Sequence, residues 1–191
     1  IISMVDEKNT AWHAGRSKWK NFTNLNRHSI GIELVNKGHQ FGYENFSKKQ
    51  ISKLILLCKF LIKKYKIKKS NILGHSDVAP LRKKDPGEKF PWYFLSKKKI
   101  GYWYNPSNKN IINHNMSKND LRNIFFSNLY KIGYRYFDKK TLRPILPDFE
   151  NTSIQYGVQM AKLFPIYKLD KNLSNPGNHF FLCSSFNFFP A

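Results

Sequence analysis

The sequence predicts an α/β domain, with helices packed on a mixed central sheet, followed by a small helical module. Three observations lead to this prediction. Residues 47–65 carry apolar side chains at helical spacing, and residues 29–36 are rich in β-forming side chains. A short apolar run, Ile72 and Leu73, then leads into a loop rich in polar residues, as expected where a buried strand ends.

Length and charge limit the classes of protein to consider. The 191 residues, 41% of them hydrophobic, suffice for the core of one domain with or without a small appendage. A formal net charge of +21 fits a polyanionic partner. Nucleic acid is the usual first candidate, but the lysines are dispersed, and cell-wall material or an anionic membrane surface would suit the same charge. We expect nucleic acid not to be the partner, and we find no stretch long enough for a transmembrane segment.

The first third of the chain is predicted to alternate strands and loops. Residues 1–5 predict a strand and residues 6–9 a turn, and residues 11–19 form a loop rich in aromatic and small side chains. Residues 29–36 are predicted as a central strand that contains Glu33. Because a carboxylate in such a strand is costly to bury unless it is paired or used, a general base with a raised pKa is one interpretation of Glu33.

Helix boundaries are well marked. Ser47 and Gln50 form a capping box before a helix that has Cys58 on its apolar side. Pro91 is suited to the first position of a short helix that ends near Lys99.

The second half of the chain is marked less clearly. Residues 101–115 have linker composition, after which Ser117 and Asp120 cap a second amphipathic helix that ends at Gly133. A weaker helix is predicted for residues 152–163. Residues 166–191, which contain Cys183, show no pattern that predicts structure, and nothing in the sequence indicates a disulfide between the two cysteines.

The loop after Leu73 holds the candidate chemistry. His75 offers an imidazole nitrogen and Asp85 a carboxylate oxygen, and both are ligand types of catalytic zinc, which takes three protein ligands and keeps one position open. Lys83, two residues before Asp85, would point the same way in an extended loop and so suits a developing oxyanion. Alone, the two candidate ligands are a weak motif, because a lone His at a strand end is more often structural.

Longer motifs strengthen this interpretation. AWHAGRSKW at residues 11–19, LNRHSIGIELVN at residues 25–36, and GHSDVAP, RKKDPG and FPW within residues 74–92 occur in order. Together they resemble the type 2 N-acetylmuramoyl-L-alanine amidases, zinc enzymes that share a fold with the peptidoglycan recognition proteins. LYKIGYR at residues 129–135 faintly resembles their peptidoglycan-binding module. The resemblance implies an amidase-like catalytic domain in residues 1–103, a helical peptidoglycan-binding module in residues 117–165 and an unassigned tail in residues 166–191.

The resemblance also implies an activity. A zinc-bound water would hydrolyse the amide between N-acetylmuramic acid and L-alanine in peptidoglycan or muropeptides. His75 and Asp85 would hold the zinc, Glu33 would be the general base and Lys83 would stabilise the oxyanion. Trp12 and His13 would contact substrate, although a core role for Trp12 and a hydrogen-bonded loop role for His13 remain open.

One family feature is not matched. The other zinc histidine of the family comes from a strand upstream of the first motif, and we expect the N-terminal part of the catalytic domain to be missing here. A fragment or split product, an inactive remnant that only binds cell wall, and a third ligand from His13 or His28 are the alternatives. Because the wall-binding module occurs in secreted members, the resemblance favours the periplasm or cell envelope over the cytoplasm.

Overall fold

The computed structural model describes residues 1–80, 82–103, 117–138, 140 and 184–188. The strands are β1 (Lys18–Trp19), β2 (Phe22–Thr23), β3 (Ile30–Leu34), β4 (Ile72–Gly74) and β5 (Ser184–Phe188). The helices are α1 (Lys48–Tyr65), α2 (His75–Val78), α3 (Trp92–Lys97) and α4 (Lys118–Ile132), with 3-10 turns at Leu25–Arg27, His39–Phe41 and Lys69–Asn71. The α/β prediction is confirmed.

A three-stranded sheet lies at the centre, in the order β3, β5, β4. Both pairings with β5 are antiparallel, so β3 and β4 run in the same direction. Phe186 is opposite Ile32 on one side and opposite Gly74 on the other, which aligns the two outer strands. The predicted strand at residues 29–36 is therefore present, but within this sheet it is an outer strand, because residues from the unassigned tail occupy the middle. A separate hairpin joins β1 to β2.

The α1 helix covers one face of the sheet. The predicted capping box is present, since the Ser47 hydroxyl accepts from the Gln50 N–H and the Gln50 side chain accepts from the Ser47 N–H. Apolar residues of α1 enter a cluster with sheet and α3 residues. Its buried members include Ile32, Ile51, Leu54, Cys58, Leu61, Ile72, Trp92 and Leu95. Periodicity and capping in the sequence thus located the main layer of helix on sheet.

The α4 helix contributes to a second cluster. Ser117 and Asp120 cap α4 and Gly133 follows its end, both as predicted. Residues from α4 and the segment after it pack with residues from the amidase-like half. The cluster contains Ala14, Trp19, Leu25, Leu73, Val78, Ala79, Phe126, Leu129, Tyr134 and Phe137. The described part of residues 117–138 therefore shares a core with the first half of the chain.

Some predictions differ from the structure or lie beyond it. Residues 1–5 do not form a strand, and Ile1, Ile2 and Met4 are each more than four-fifths exposed. The prediction rested on the apolar composition of this segment, but none of the described strands pairs with it. The turn at residues 6–9 is present. The predicted helix at residues 152–163 and Cys183 lie outside the described residues. No described helix combines the length and apolarity needed to cross a bilayer.

Cys58 belongs to α1 and its side chain is fully buried. Burial raises the pKa of its thiol to about 12. A thiol with this pKa is almost entirely protonated at neutral pH and does not act as a nucleophile. In a Cys183→Ser variant, we expect the native protein to resist alkylation by iodoacetamide at about pH 8, where an ordinary cysteine reacts. Mass spectrometry would show one adduct only after denaturation, whereas rapid labelling of the native protein would contradict the burial.

Candidate active site

His75 and Asp85 form a buried pair at the end of β4. His75 is the first residue of α2, directly after the strand, and Asp85 returns in the loop that follows. His75 Nδ1 lies 3.1 Å from Asp85 Oδ2, and both side chains are 3% exposed. The Ser76 N–H also donates to the Asp85 carbonyl at 2.9 Å. The turn of α2 and the loop thus hold the two side chains of the predicted metal pair together.

A backbone carbonyl contacts the other nitrogen of His75. Nε2 lies 3.1 Å from the Ala14 carbonyl oxygen, which can only accept a hydrogen bond. This contact assigns a proton to Nε2. Nδ1 is then the nitrogen available for a metal, in the arrangement by which a second contact fixes the tautomer of a ligating histidine.

The geometry of the pair fits a zinc ion. Two atoms that coordinate a tetrahedral zinc at about 2.1 Å are roughly 3.4 Å apart, close to the separation observed between Nδ1 and Oδ2. An imidazole lone pair and a carboxylate repel at this distance unless a cation lies between them, either a proton or a metal ion held by both. The described residues contain no group of three or more His, Cys, Asp or Glu side chains with metal-binding geometry. His75 and Asp85 therefore offer two donors, one fewer than the three protein ligands that a catalytic zinc takes.

Glu33 lies on the face of the sheet that points away from α1. Ile32 points into the cluster under α1, so Gly31 and Glu33 point to the opposite face. A Cβ on Gly31 would lie 2.5 Å from His13 Cγ, so the His13 ring covers that face beside Glu33. Ala14, the next residue, is the one whose carbonyl contacts His75.

Glu33 differs from the sequence prediction in its surroundings. The prediction placed this carboxylate inside a central strand, where burial would be costly. The structure exposes Glu33 to solvent, because β3 is an outer strand of the described sheet and its second face is only partly covered. An exposed carboxylate on this face is accessible to a substrate that enters from solvent.

The other predicted site residues differ in how far they are exposed to solvent. Trp12 is 82% exposed, which removes the alternative of a core role. His13 is half-buried and its Nε2 lies 3.0 Å from the Ser29 carbonyl, as expected for a hydrogen-bonded loop residue. Lys83 is half-buried in the loop before Asp85, and its N–H donates to the Ala79 carbonyl. His28, an alternative third ligand, is exposed.

Two residues that the sequence did not single out as site residues fix the loop around Ala14. Buried Asn26 accepts through Oδ1 from the Ala14 N–H at 2.7 Å and from the Gly15 N–H at 3.0 Å. Arg82 donates to the Ala14 carbonyl and, at 3.0 Å, to the Arg16 carbonyl. Both are ordinary polar residues within the family-like motifs, and no local pattern distinguishes their role. They hold in place the carbonyl that contacts His75.

Tyr43 supports the loop on the far side of Asp85. Its hydroxyl donates to the Pro86 carbonyl at 2.7 Å and accepts from the Lys89 N–H at 3.1 Å. Burial raises the pKa of Tyr43 to about 12, so the hydroxyl keeps its proton at neutral pH. Gly87 has a positive φ of 81°, and a Cβ there would lie 2.5 Å from the Tyr43 hydroxyl. The tight loop therefore requires glycine at this position.

Asn26 gives a prediction about stability and the site. Asn26→Ala removes the acceptor of two N–H groups, which should cost about 1–3 kcal/mol of the free energy of unfolding if either is left unpaired. Asn26→Asp retains Oδ1 and is the matched control, with a smaller expected loss. Urea unfolding of both variants measures the difference. Equal stability of Asn26→Ala and the unmodified protein would show that these bonds do not hold the loop.

The fold and the paired donors define the class of protein. The chain is an α/β domain with a helix packed on its sheet and a buried His–Asp pair at the end of a strand. Solved amidase structures have a similar fold. AmiD from Escherichia coli, in complex with the substrate anhydro-N-acetylmuramic acid-L-Ala-D-γ-Glu-L-Lys, matches with a TM-score of 0.68 and 30% identity, covering 86% of this chain and 64% of that one. AmpDh3 from Pseudomonas aeruginosa, in complex with an anhydromuramic pentapeptide, matches with a TM-score of 0.70 and 28% identity, covering 91% and 69%.

The first half of the chain is also similar to amidases in sequence. A family model described as N-acetylmuramoyl-L-alanine amidase matches residues 1–88. N-acetylmuramoyl-L-alanine amidase AmiD of Escherichia coli K12 is 46% identical over 108 residues, which cover 54% of this chain and 39% of that protein. The 1,6-anhydro-N-acetylmuramyl-L-alanine amidase AmpD of Enterobacter cloacae is 38% identical over 92 residues, covering 48% and 47%.

Residues 1–88 are therefore similar to the N-acetylmuramoyl-L-alanine amidase family. The matched part spans less than half the length of these two curated relatives.

Proposed function

We propose that this chain is a zinc-dependent amidase that hydrolyses the bond between the lactyl group of N-acetylmuramic acid and the L-alanine of the stem peptide. The observation that carries the proposal is the buried His75–Asp85 pair, whose Nδ1 and Oδ2 atoms lie 3.1 Å apart. The match to the amidase family model and the muramyl peptides in complex with the two solved structures support the choice of substrate.

His75 and Asp85 are the residues that would hold zinc. His75 would bind through Nδ1 while Nε2–H donates to the Ala14 carbonyl. A third donor is required beyond this pair. When bound, zinc supplies Lewis acidity, which acidifies water and polarises the amide carbonyl.

Glu33 accepts a proton from the attacking water and returns it to the leaving L-alanine amine. Its exposure to solvent, where a substrate can reach it, supports this role. A general base of this kind contributes about 10²- to 10⁴-fold in rate. Lys83, two residues before Asp85, would stabilise the tetrahedral oxyanion, which is worth about 2.7–4 kcal/mol where one such donor has been removed from another enzyme.

Trp12 and His13 form the proposed substrate-contacting edge. An indole that is 82% exposed next to the site offers a flat apolar surface to a sugar ring or stem peptide. The next residue, His13, lies against Gly31 of β3. The partner would therefore be peptidoglycan or a muropeptide. The likeness of residues 129–135 to a wall-binding module supports action in the periplasm or cell envelope, with the cytoplasm as the alternative.

Hydrolysis of a defined substrate tests the proposal. The purified chain, with zinc added, would be incubated with anhydro-N-acetylmuramyl-L-Ala-D-γ-Glu-L-Lys, and mass spectrometry would follow the release of the intact tripeptide. We expect release with zinc and none with a chelator. Absence of release with stoichiometric zinc bound would reject the activity.

A second candidate is an inactive amidase-like domain that only binds cell wall. It is favoured by the observation that the described residues supply two zinc donors and not three at the site. Sedimentation with purified cell wall, without release of stem peptide, would support it. Failure to sediment with wall would count against it.

A further inference from the structure

The segment after α4 turns tightly against Trp19. Gly133 follows the helix with a φ of 146°, and a Cβ there would lie 2.6 Å from the Trp19 ring. The Lys20 N–H donates to the Gly133 carbonyl at 2.8 Å, which attaches the turn to the β1–β2 hairpin. The close approach requires a glycine, and it delivers the next residue, Tyr134, into the interior.

Tyr134 reaches the loop that carries the His75–Asp85 pair. The residue is 1% exposed, and its ring packs edge-on against Trp19 with centroids 5.0 Å apart. Its hydroxyl donates to Asp77 Oδ1 at 2.5 Å. The other oxygen, Asp77 Oδ2, accepts from the Gly74 N–H at 2.8 Å. One buried carboxylate thus links Tyr134 to the residue directly before His75.

This linkage lies at the start of α2. Hydrogen bonds to a charged carboxylate are among the stronger ones in proteins, especially at a buried position such as Asp77. Asp77 lies two residues after His75 and bonds to the residue before it, so the carboxylate closes a turn around the histidine. Because the Ser76 N–H donates to the Asp85 carbonyl, a shift of this turn also changes the spacing between His75 and Asp85.

We infer that Tyr134 is a positioning residue for the metal pair, which acts through Asp77 to set the orientation of His75. The inference rests on the proposed zinc site. It assigns to residues 133–137 a role in the site, although they lie beyond the residues 1–88 that the family model matches. Outer contacts of this kind orient the ligand ring and so determine metal affinity.

Tyr134→Phe tests the inference, because it removes the hydroxyl and retains the ring against Trp19. We expect zinc affinity, measured by competition with a chromogenic chelator, to fall about tenfold, the lower end of the range for outer contacts. We also expect faster hydrogen exchange at the Gly74 amide. Asp77→Asn with Tyr134→Phe should lose little more than Asp77→Asn alone, since both changes act on one linkage.

Tyr136→Phe is the matched control. The Tyr136 hydroxyl donates to the Val78 carbonyl at 2.8 Å, at the opposite end of α2 from His75. We expect this variant to keep the zinc affinity of the unmodified protein. Equal losses of zinc affinity in the two variants would mean that both tyrosines only stabilise α2 as a whole. That result would overturn the positioning role of Tyr134.

The outcomes separate the inference from the proposed function. An unmodified protein that binds no zinc contradicts the proposed zinc site, and exchange at Gly74 then decides whether Tyr134 holds the backbone at His75. If the unmodified protein binds zinc and Tyr134→Phe binds it equally well, with unchanged exchange at Gly74, the inference is wrong and the zinc site stands.

Discussion

Replacing His75 with alanine is expected to abolish amide hydrolysis and to weaken zinc binding by more than about 100-fold, beyond the loss typical of outer contacts. The reason is geometric, because the change removes one of two buried donors that lie 3.1 Å apart and leaves the Asp85 carboxylate without this partner. Zinc affinity by chelator competition and tripeptide release by mass spectrometry measure the two effects.

His28→Ala is the control for this change. His28 is exposed and lies in the 25–36 motif, so its loss should alter neither zinc affinity nor activity. Circular dichroism would verify that both variants fold. A His75→Ala protein that binds zinc as tightly as the unmodified chain would show that the metal, if bound, sits elsewhere.

Replacing Glu33 with glutamine is expected to separate catalysis from metal binding. The amide keeps the size of the side chain but cannot accept a proton, so kcat should fall by about 10²- to 10⁴-fold. Zinc affinity should remain unchanged, because the proposal gives Glu33 the role of a base and not of a ligand. Single-turnover hydrolysis and chelator competition, performed on the same preparation, give both quantities.

Glu44→Gln is the matched control for Glu33. Glu44 is exposed and lies 3.9 Å from Lys37 Nζ in a surface ion pair, so its neutralisation should leave kcat unchanged. A loss of zinc in Glu33→Gln would make Glu33 a ligand and not a base. Full activity in that variant would remove it from the mechanism.

Local signals in the sequence predicted a large part of the fold. The capping boxes at Ser47 and Ser117 and the glycine after α4 each depend on residues within one turn of helix, and all are present. The short apolar run before His75 correctly indicated a strand that ends at the site. These features are encoded by neighbouring residues, so they can be predicted without knowledge of the tertiary structure.

Long-range pairing could not be predicted in the same way. Strand β5 lies between β3 and β4, although more than 100 residues separate it from β4 in the sequence. Its aromatic residues suit a strand, but nothing near them specifies the partner. The same limit explains residues 1–5, whose apolar composition suggested a strand that the structure does not form.

The residues of the candidate site also fall into two groups, those indicated by local sequence signals and those that act through long-range contacts. His75, Asp85 and Glu33 were singled out because their residue types and motifs indicate chemistry. Asn26, Arg82 and Tyr134 were not selected as site residues, since each acts through a contact with a distant backbone or side chain. Glu33 was expected to be buried because β3 was predicted at the centre of the sheet. In the structure β3 is an outer strand of the described sheet, and the face that carries Glu33 is only partly covered, so the side chain is exposed.

The most direct measurement of the central claim is the position of zinc in crystals, located by anomalous scattering at the zinc absorption edge. The account predicts one strong peak within about 2.0–2.2 Å of both His75 Nδ1 and an Asp85 carboxylate oxygen. A peak at another site, or no peak between these two atoms in crystals grown with stoichiometric zinc, would contradict it.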